Sequence, residues 1–173
     1  MLRKLDDYNL ENLTILVIDD SRHMLTIVRN LLNSMRIKNV TMASDAADAF
    51  KELRHSRPDI VIVDWHMSPL DGLDFTRLVR KGQDSEFPDI PILLLTAHTE
   101  ARRIFEARDA GVNEILAKPV SFKTLYQRIV AVINDSRPFV RLNSYVGPCR
   151  RRREMDEARR NERRKRQVES TAE

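Results

Sequence analysis

Five polar positions stand at the ends of apolar runs of strand length: Asp19 and Asp20 after Thr14-Ile15-Leu16-Val17-Ile18, Asp64 after Ile60-Val61-Ile62-Val63, Thr96 closing Ile90 to Thr96, and Lys118 after Glu114-Ile115-Leu116-Ala117. If those strands lie side by side, three carboxylates, a hydroxyl and an ammonium meet at one edge. Three carboxylates so close raise one another's pKa unless a cation sits among them. Oxygen donors without a cysteine suit a hard ion, and Mg²⁺ is the natural occupant. Lys118 offers a point charge and Thr96 a donor for phosphoryl oxygens. Such a site neutralises and orients a phosphoryl group while one of the carboxylates acts as nucleophile.

The elements that must position these residues can be read from apolar spacing. Ile60 to Val63 is four consecutive β-branched residues, bounded by Pro58-Asp59 before it and Pro69 and Gly72 after it, as expected of a strand buried on both faces of a parallel sheet. Helices follow. Ser21 caps one with Met24, Val28, Leu31, Leu32 and Met35 at helical spacing, and Ala46, Ala49, Phe50 and Leu53 mark a second, after a short strand at Asn39 to Met42. Leu73, Phe75, Leu78 and Val79 mark a third, closed by Gly82 as a left-handed stop. Ala101, Ile104, Phe105 and Ala110 mark a fourth, closed by Gly111. Ser121 caps the last, with Phe122, Leu125, Tyr126, Ile129, Val132 and Ile133 buried. Five strand-helix units in strict alternation predict a doubly wound α/β fold, because parallel neighbours need crossover helices.

The Asp19-Asp20 pair, Asp64 within Asp-Trp-His-Met, Thr96-Ala97 and Lys118-Pro119, at these intervals, resemble the receiver domain of bacterial two-component response regulators, including the single-domain chemotaxis type, over roughly residues 13 to 135. The resemblance implies a flavodoxin-like five-stranded parallel sheet of order 2-1-3-4-5. It implies that Asp64 takes a phosphoryl group from a sensor histidine kinase or histidine phosphotransfer protein. It also implies that Mg²⁺ is held by Asp20, Asp64, the backbone carbonyl of His66 and, largely through water, Asp19. Thr96 would move toward the phosphoryl group, Lys118 would pair with it, and Lys118-Pro119 would be cis. A protein of this kind is a signalling receiver that catalyses only its own phosphorylation and dephosphorylation, and it signals through contact with a downstream protein. Two departures stand out. Ser68 separates Met67 from Pro69, and Ile115 occupies the place where the family often has Tyr or Phe, so aromatic gating is absent.

Composition bounds the rest. The 173 residues allow one well-buried core with appendages. The apolar runs are of strand length, and the start Met1-Leu2-Arg3-Lys4-Leu5-Asp6-Asp7 lacks a signal-peptide core, so a cytoplasmic protein without membrane partners is expected. Cys149 is the single cysteine and cannot form an internal disulfide. Residues 1–134 hold 18 Lys and Arg against 19 Asp and Glu, whereas residues 135–173 hold 12 against 7. The basic pI is thus a property of the tail.

The division expected is an arm over 1–12, a receiver over 13–135 and a basic, disordered or partly helical tail over 136–173. Residues 137–148 mix apolar residues with turn formers and could dock on the domain or on a partner. Asp156 with Arg160 and Glu162 with Arg166 lie at helical i,i+4 spacing in the favoured order. No nucleic-acid reading head is present, so only the tail could supply such a partner, and monomer and dimer both stay open.

Each position also has a plainer reading. Asp19 and Asp20 could favour a helix dipole, Thr96 could cap a strand and Lys118 could be a surface lysine; their coincidence decides against this. His66, without a second His or Cys nearby, is read as a loop residue whose backbone matters, His23, His55 and His98 as surface positions, and Trp65 as a partly exposed packing residue. A phosphatase on a similar fold would want a second acid two residues after Asp64, where His66 stands.

Overall fold

The β-branched runs form strands because both of their faces find apolar cover. In the computed structural model, which describes residues 8–82, 86–97 and 100–150, the strands β1 (Thr14–Ile18), β2 (Asn39–Ala43), β3 (Ile60–Asp64), β4 (Ile92–Thr96) and β5 (Glu114–Ala117) form one sheet. Its order is β2-β1-β3-β4-β5, with every neighbouring pair parallel. Between and after them run α1 (Arg22–Ser34), α2 (Ala46–Ser56), α3 (Gly72–Lys81), α4 (Ala101–Ala110) and α5 (Phe122–Ile133). This is the flavodoxin-like arrangement.

Alternation along the strands sends residues to two cores. Leu16, Ile18, Val61, Val63, Ile92 and Leu94 pack with Ala49, Leu53, Phe75 and Val79 on one face. Ile15, Val17, Ile60, Ile62, Leu93 and Leu95 pack with Val28, Leu32, Leu125 and Ile129 on the other. All twelve strand residues are buried, which is why the runs read as continuously apolar.

Local chemistry sets the helix ends. Ser21, Asp45 and Asp71 each accept a hydrogen bond from the backbone N–H three residues on, and Ser121 with Thr124 forms a capping box. Gly111 ends α4 at φ 99°, as expected. Gly82 does not act as a left-handed stop: its N–H bonds the Leu78 carbonyl and its backbone is at φ −59°, ψ 134°, so the chain leaves α3 extended. The non-glycine residues in the left-handed region, among those described, are Arg36 and Arg57. β4 begins at Ile92 and not Ile90, since Pro91 has no N–H for the ladder.

The segment after α5 departs from the expected disordered or partly helical tail. Phe139–Leu142 (β6) and Tyr145–Pro148 (β7) pair antiparallel, and the hairpin packs on α3 and α4. Residues 151–173, which carry the Asp156–Arg160 and Glu162–Arg166 pairs, lie outside the described residues, as do residues 1–7 of the arm and His98.

Candidate functional site

The sheet register brings the first two acids together. Ile18 of β1 sits beside Val63 of β3, so Asp19 and Asp64, one residue further along, are neighbours at the carboxyl edge. Asp64 pairs in register with Leu95 of β4, and Thr96 with Ala117 of β5, which places Thr96 and Lys118 at the same edge. Lys118 N–H donates to the Thr96 carbonyl at 2.7 Å, locking the ends of β4 and β5.

The Lys118 side chain reaches back across the edge. Its Nζ lies 2.8 Å from Asp64 Oδ1 and 3.4 Å from Asp19 Oδ2. Both acids are buried, and Thr96 is too. Asp19 Oδ1 accepts from Ser21 N–H at 2.9 Å, which ties the acid to the start of α1. Burial pushes the Asp19 carboxyl above its ordinary range; the Ser21 hydrogen bond pulls it down, and the Asp64 charge pushes it up again. For Lys118, burial works to lower the ammonium, but the hydrogen bond to Asp64 and the charges of Asp64 and Asp19 outweigh it and hold it above its ordinary value.

The loop after β3 is shaped by a contact that residue spacing alone does not reveal. Gly72 N–H donates to the Trp65 carbonyl at 2.9 Å, and a Cβ on Gly72 would sit 2.2 Å from the Asp64 carbonyl oxygen. Only glycine lets α3 start so close to the backbone of the acid. Trp65 is buried, not partly exposed, and carries Arg103 over its ring at 5.5 Å. Two X-Pro bonds at this edge are cis, Lys118-Pro119 as expected and Ser68-Pro69 in addition.

The remaining expected residues are less tightly gathered. Asp20 is exposed beside Asp19, and His66 is exposed beside Asp64, as are His23 and His55 on their helices. Among the described residues, no group of three His, Cys, Asp or Glu side chains is set to hold a metal ion. Two adjoining buried carboxylates with one lysine between them still form an oxygen-only, electronegative pair. That donor set fits a hard cation completed by a backbone carbonyl and water.

The comparisons with known proteins bear on the same edge. Residues 15–130 match the model of the response regulator receiver domain. The chain belongs to the response regulator receiver family. It is 34% identical over 119 residues to chemotaxis protein CheY-3 of Vibrio cholerae serotype O1, covering 69% of this chain and 90% of that protein. It is likewise 34% identical over 115 residues to chemotaxis protein CheY of Pseudomonas aeruginosa, covering 66% and 91%. Among solved structures, Vibrio cholerae chemotaxis protein CheY4 matches with a TM-score of 0.63 at 28% identity, covering 69% of this chain and 98% of that one. A putative response regulator from Chloroflexus aurantiacus matches with 0.64 at 25% identity.

This receiver is therefore a signalling module of the chemotaxis-protein type, in a family that signals by phosphorylation and generally binds Mg²⁺ at the phosphorylation site. Among the described residues, no helix is long and apolar enough to cross a membrane. The hairpin and Arg150 lie beyond the family match.

Proposed function

We propose that the chain is a phosphorelay receiver in which Asp64 accepts a phosphoryl group from a phosphohistidine on a sensor histidine kinase or phosphotransfer protein in the cytoplasm. An Asp64 oxygen forms the new O–P bond while the P–N bond to the donor imidazole breaks, and the leaving nitrogen takes up a proton. The observation that carries this reading is the contact of Lys118 Nζ with both Asp64 and Asp19.

That lysine is placed to neutralise a phosphoryl oxygen built onto Asp64, and Thr96 at the adjoining strand end is placed to donate to another. Asp19, Asp20, Asp64 and the carbonyl of His66 would hold Mg²⁺, which supplies charge neutralisation and orientation for the incoming group. The phosphorylated form then signals by contact with a downstream protein, without a conventional output domain, and the only reactions it catalyses are gain and loss of its own phosphoryl group.

The test is incubation with a small acyl phosphate and Mg²⁺. The wild-type chain should take up acid-labile phosphate and Asp64→Asn should not. Uptake that survives Asp64→Asn, or that proceeds equally with chelator present, would overturn the assignment.

A further inference from the structure

The hairpin meets the domain through one strand and leaves the other outside. β7 lies against α3 and α4 with Tyr145, Gly147 and Pro148 buried, whereas Arg141 and Leu142 of β6 are exposed, Leu142 by 59%. The register settles where the backbone groups of β6 point. Leu142 pairs with Tyr145 across the Asn143-Ser144 turn, Val140 pairs with Gly147, and the Cys149 N–H donates to the Pro138 carbonyl at 2.9 Å. Hydrogen-bonded and open pairs alternate along an antiparallel ladder, so residues 138, 140 and 142 bond inward to β7. The N–H and C=O of Phe139 and Arg141 therefore point away from the hairpin, and they have no partner among the described residues.

Side chains divide between the two faces by the same alternation. Phe139 and Arg141 share one face, with the Arg141 guanidinium 5.7 Å from the Phe139 ring. Val140 and Leu142 share the other, beside a hollow of about 480 Å³ that Tyr145, Cys149 and Arg150 also line. An open edge of this kind is a template for another strand, and the sequence of β6 says which. Outward groups bond only to outward groups, so a symmetric antiparallel pairing of β6 with itself centres on residue 139, 140 or 141. Centring on Arg141 sets two guanidiniums directly opposite each other, and centring on Phe139 sets Arg137 opposite Arg141; like charges so placed destabilise the pair. Centring on Val140 puts Phe139 opposite Arg141 of a second copy, Val140 opposite Val140 and Leu142 opposite Pro138. Pro138 fits there, because residue 138 bonds inward through its carbonyl and needs no outward N–H.

We propose that β6 pairs antiparallel with β6 of a second copy of this chain about a two-fold axis at Val140, joining two hairpins into one four-stranded sheet. Phe139 and Arg141 of each copy exchange backbone hydrogen bonds with Arg141 and Phe139 of the other, and each Arg141 faces a phenyl ring across the strands. Val140 and Leu142 leave water on the opposite face. A strand of four residues from each copy is a small contact, so the dimer is weak, with a Kd on the order of 0.1 mM. Both copies carry positive charge near the axis, since the sequence runs on from Arg150 with Arg151-Arg152-Arg153, so repulsion opposes pairing and added salt strengthens it. The interface lies beyond the family match, which ends at residue 130, and rests on no part of the phosphoryl reading.

Sedimentation equilibrium of the full chain should show monomer and dimer in exchange at about 0.1–1 mM protein, with more dimer in about 0.5 M salt than in about 0.05 M. Arg141→Pro removes an outward N–H and keeps the inward ladder, so it should stay folded by Trp65 fluorescence while its association falls about tenfold or more. Crosslinking in a Cys149→Ser background reads the register. Val140→Cys sets two thiols opposite each other at the axis, in an open pair whose Cα atoms are about 4.5 Å apart, within disulfide range. Diamide, which takes up the two electrons and two protons released, should link that variant into a covalent dimer. Arg141→Cys, displaced along the strand from its own copy, should crosslink roughly tenfold more slowly. A chain that stays monomeric up to about 1 mM, a dimer that survives Arg141→Pro, or Arg141→Cys crosslinking as fast as Val140→Cys overturns the proposal.

Discussion

Asp19 is charged where burial and Asp64 both oppose its charge, and that has a measurable consequence. Its pKa in the fold is raised above the ordinary 3.8, so the native state binds a proton more readily than the unfolded chain. The cost to stability is therefore absent below that value and fully present once pH rises past the raised pKa. Asp19→Asn should stabilise the metal-free protein at neutral pH and lose that advantage as pH falls toward 3.8, with urea midpoints at several pH values as the measurement. Mg²⁺ should raise the melting temperature of the wild type, and the same substitution should diminish that rise. Gly72 invites the opposite change. A methyl there meets the Asp64 carbonyl at 2.2 Å, a backbone atom that cannot swing aside. Gly72→Ala should cost roughly 2–4 kcal/mol and slow phosphate uptake, because overpacking at this point shifts the strand that carries Asp64. The gathering of Asp19, Asp64, Thr96 and Lys118 at one edge was legible because strand ends mark themselves by the break in an apolar run. The reason for Gly72 was not, since it lies in a backbone approach that spacing does not encode.

The five βα units could be read for a related reason: burial on both faces of each strand and one stripe on each helix leaves an unambiguous pattern. The hairpin escaped it. Phe139-Val140-Arg141-Leu142 and Tyr145-Val146 alternate around Asn143-Ser144, a usable turn signal, but Arg141 and the flanking arginines make the stretch look like exposed tail. Phe139 of the hairpin packs on a buried arginine that a helical pattern assigns to the surface. Arg80 donates to the carbonyls of Gly111, Pro88 and Ile90 and to Asn113 Oδ1, with the Phe139 ring 5.5 Å away. Burial pushes its guanidinium down to about 10, a cost that these four hydrogen bonds offset. Arg80→Met fills similar volume yet leaves those acceptors without their donor, so a loss of roughly 2–4 kcal/mol in urea unfolding is expected. Gly147→Ala should also loosen the hairpin, since its added carbon would lie 2.8 Å from Gly111 Cα. Solvent exchange of the Cys149 amide, which donates to the Pro138 carbonyl, would report the opening.

At the scale of the whole molecule these contacts extend the folded unit past the end of α5 to include the hairpin. The hairpin touches the ends of three helices: Lys81 of α3 donates to the Ser144 carbonyl, Gly147 packs on Gly111 after α4, and Arg137, just before β6, bridges Asp135 after α5 to the Asn113 carbonyl. A chain cut after Asp135 would satisfy the family pattern and yet expose Arg80 and the Gly111 turn to water. It should unfold at lower urea than a chain cut after Arg150, by roughly 2–4 kcal/mol. Trp65 gives the decisive signal, because it is buried near the opposite edge of the sheet from the hairpin. If its fluorescence transition shifts with the cut after Asp135 and stays coincident with the far-ultraviolet dichroism, hairpin and sheet unfold as one cooperative body. An unmoved Trp65 transition would make the hairpin an appendage that folds and opens on its own.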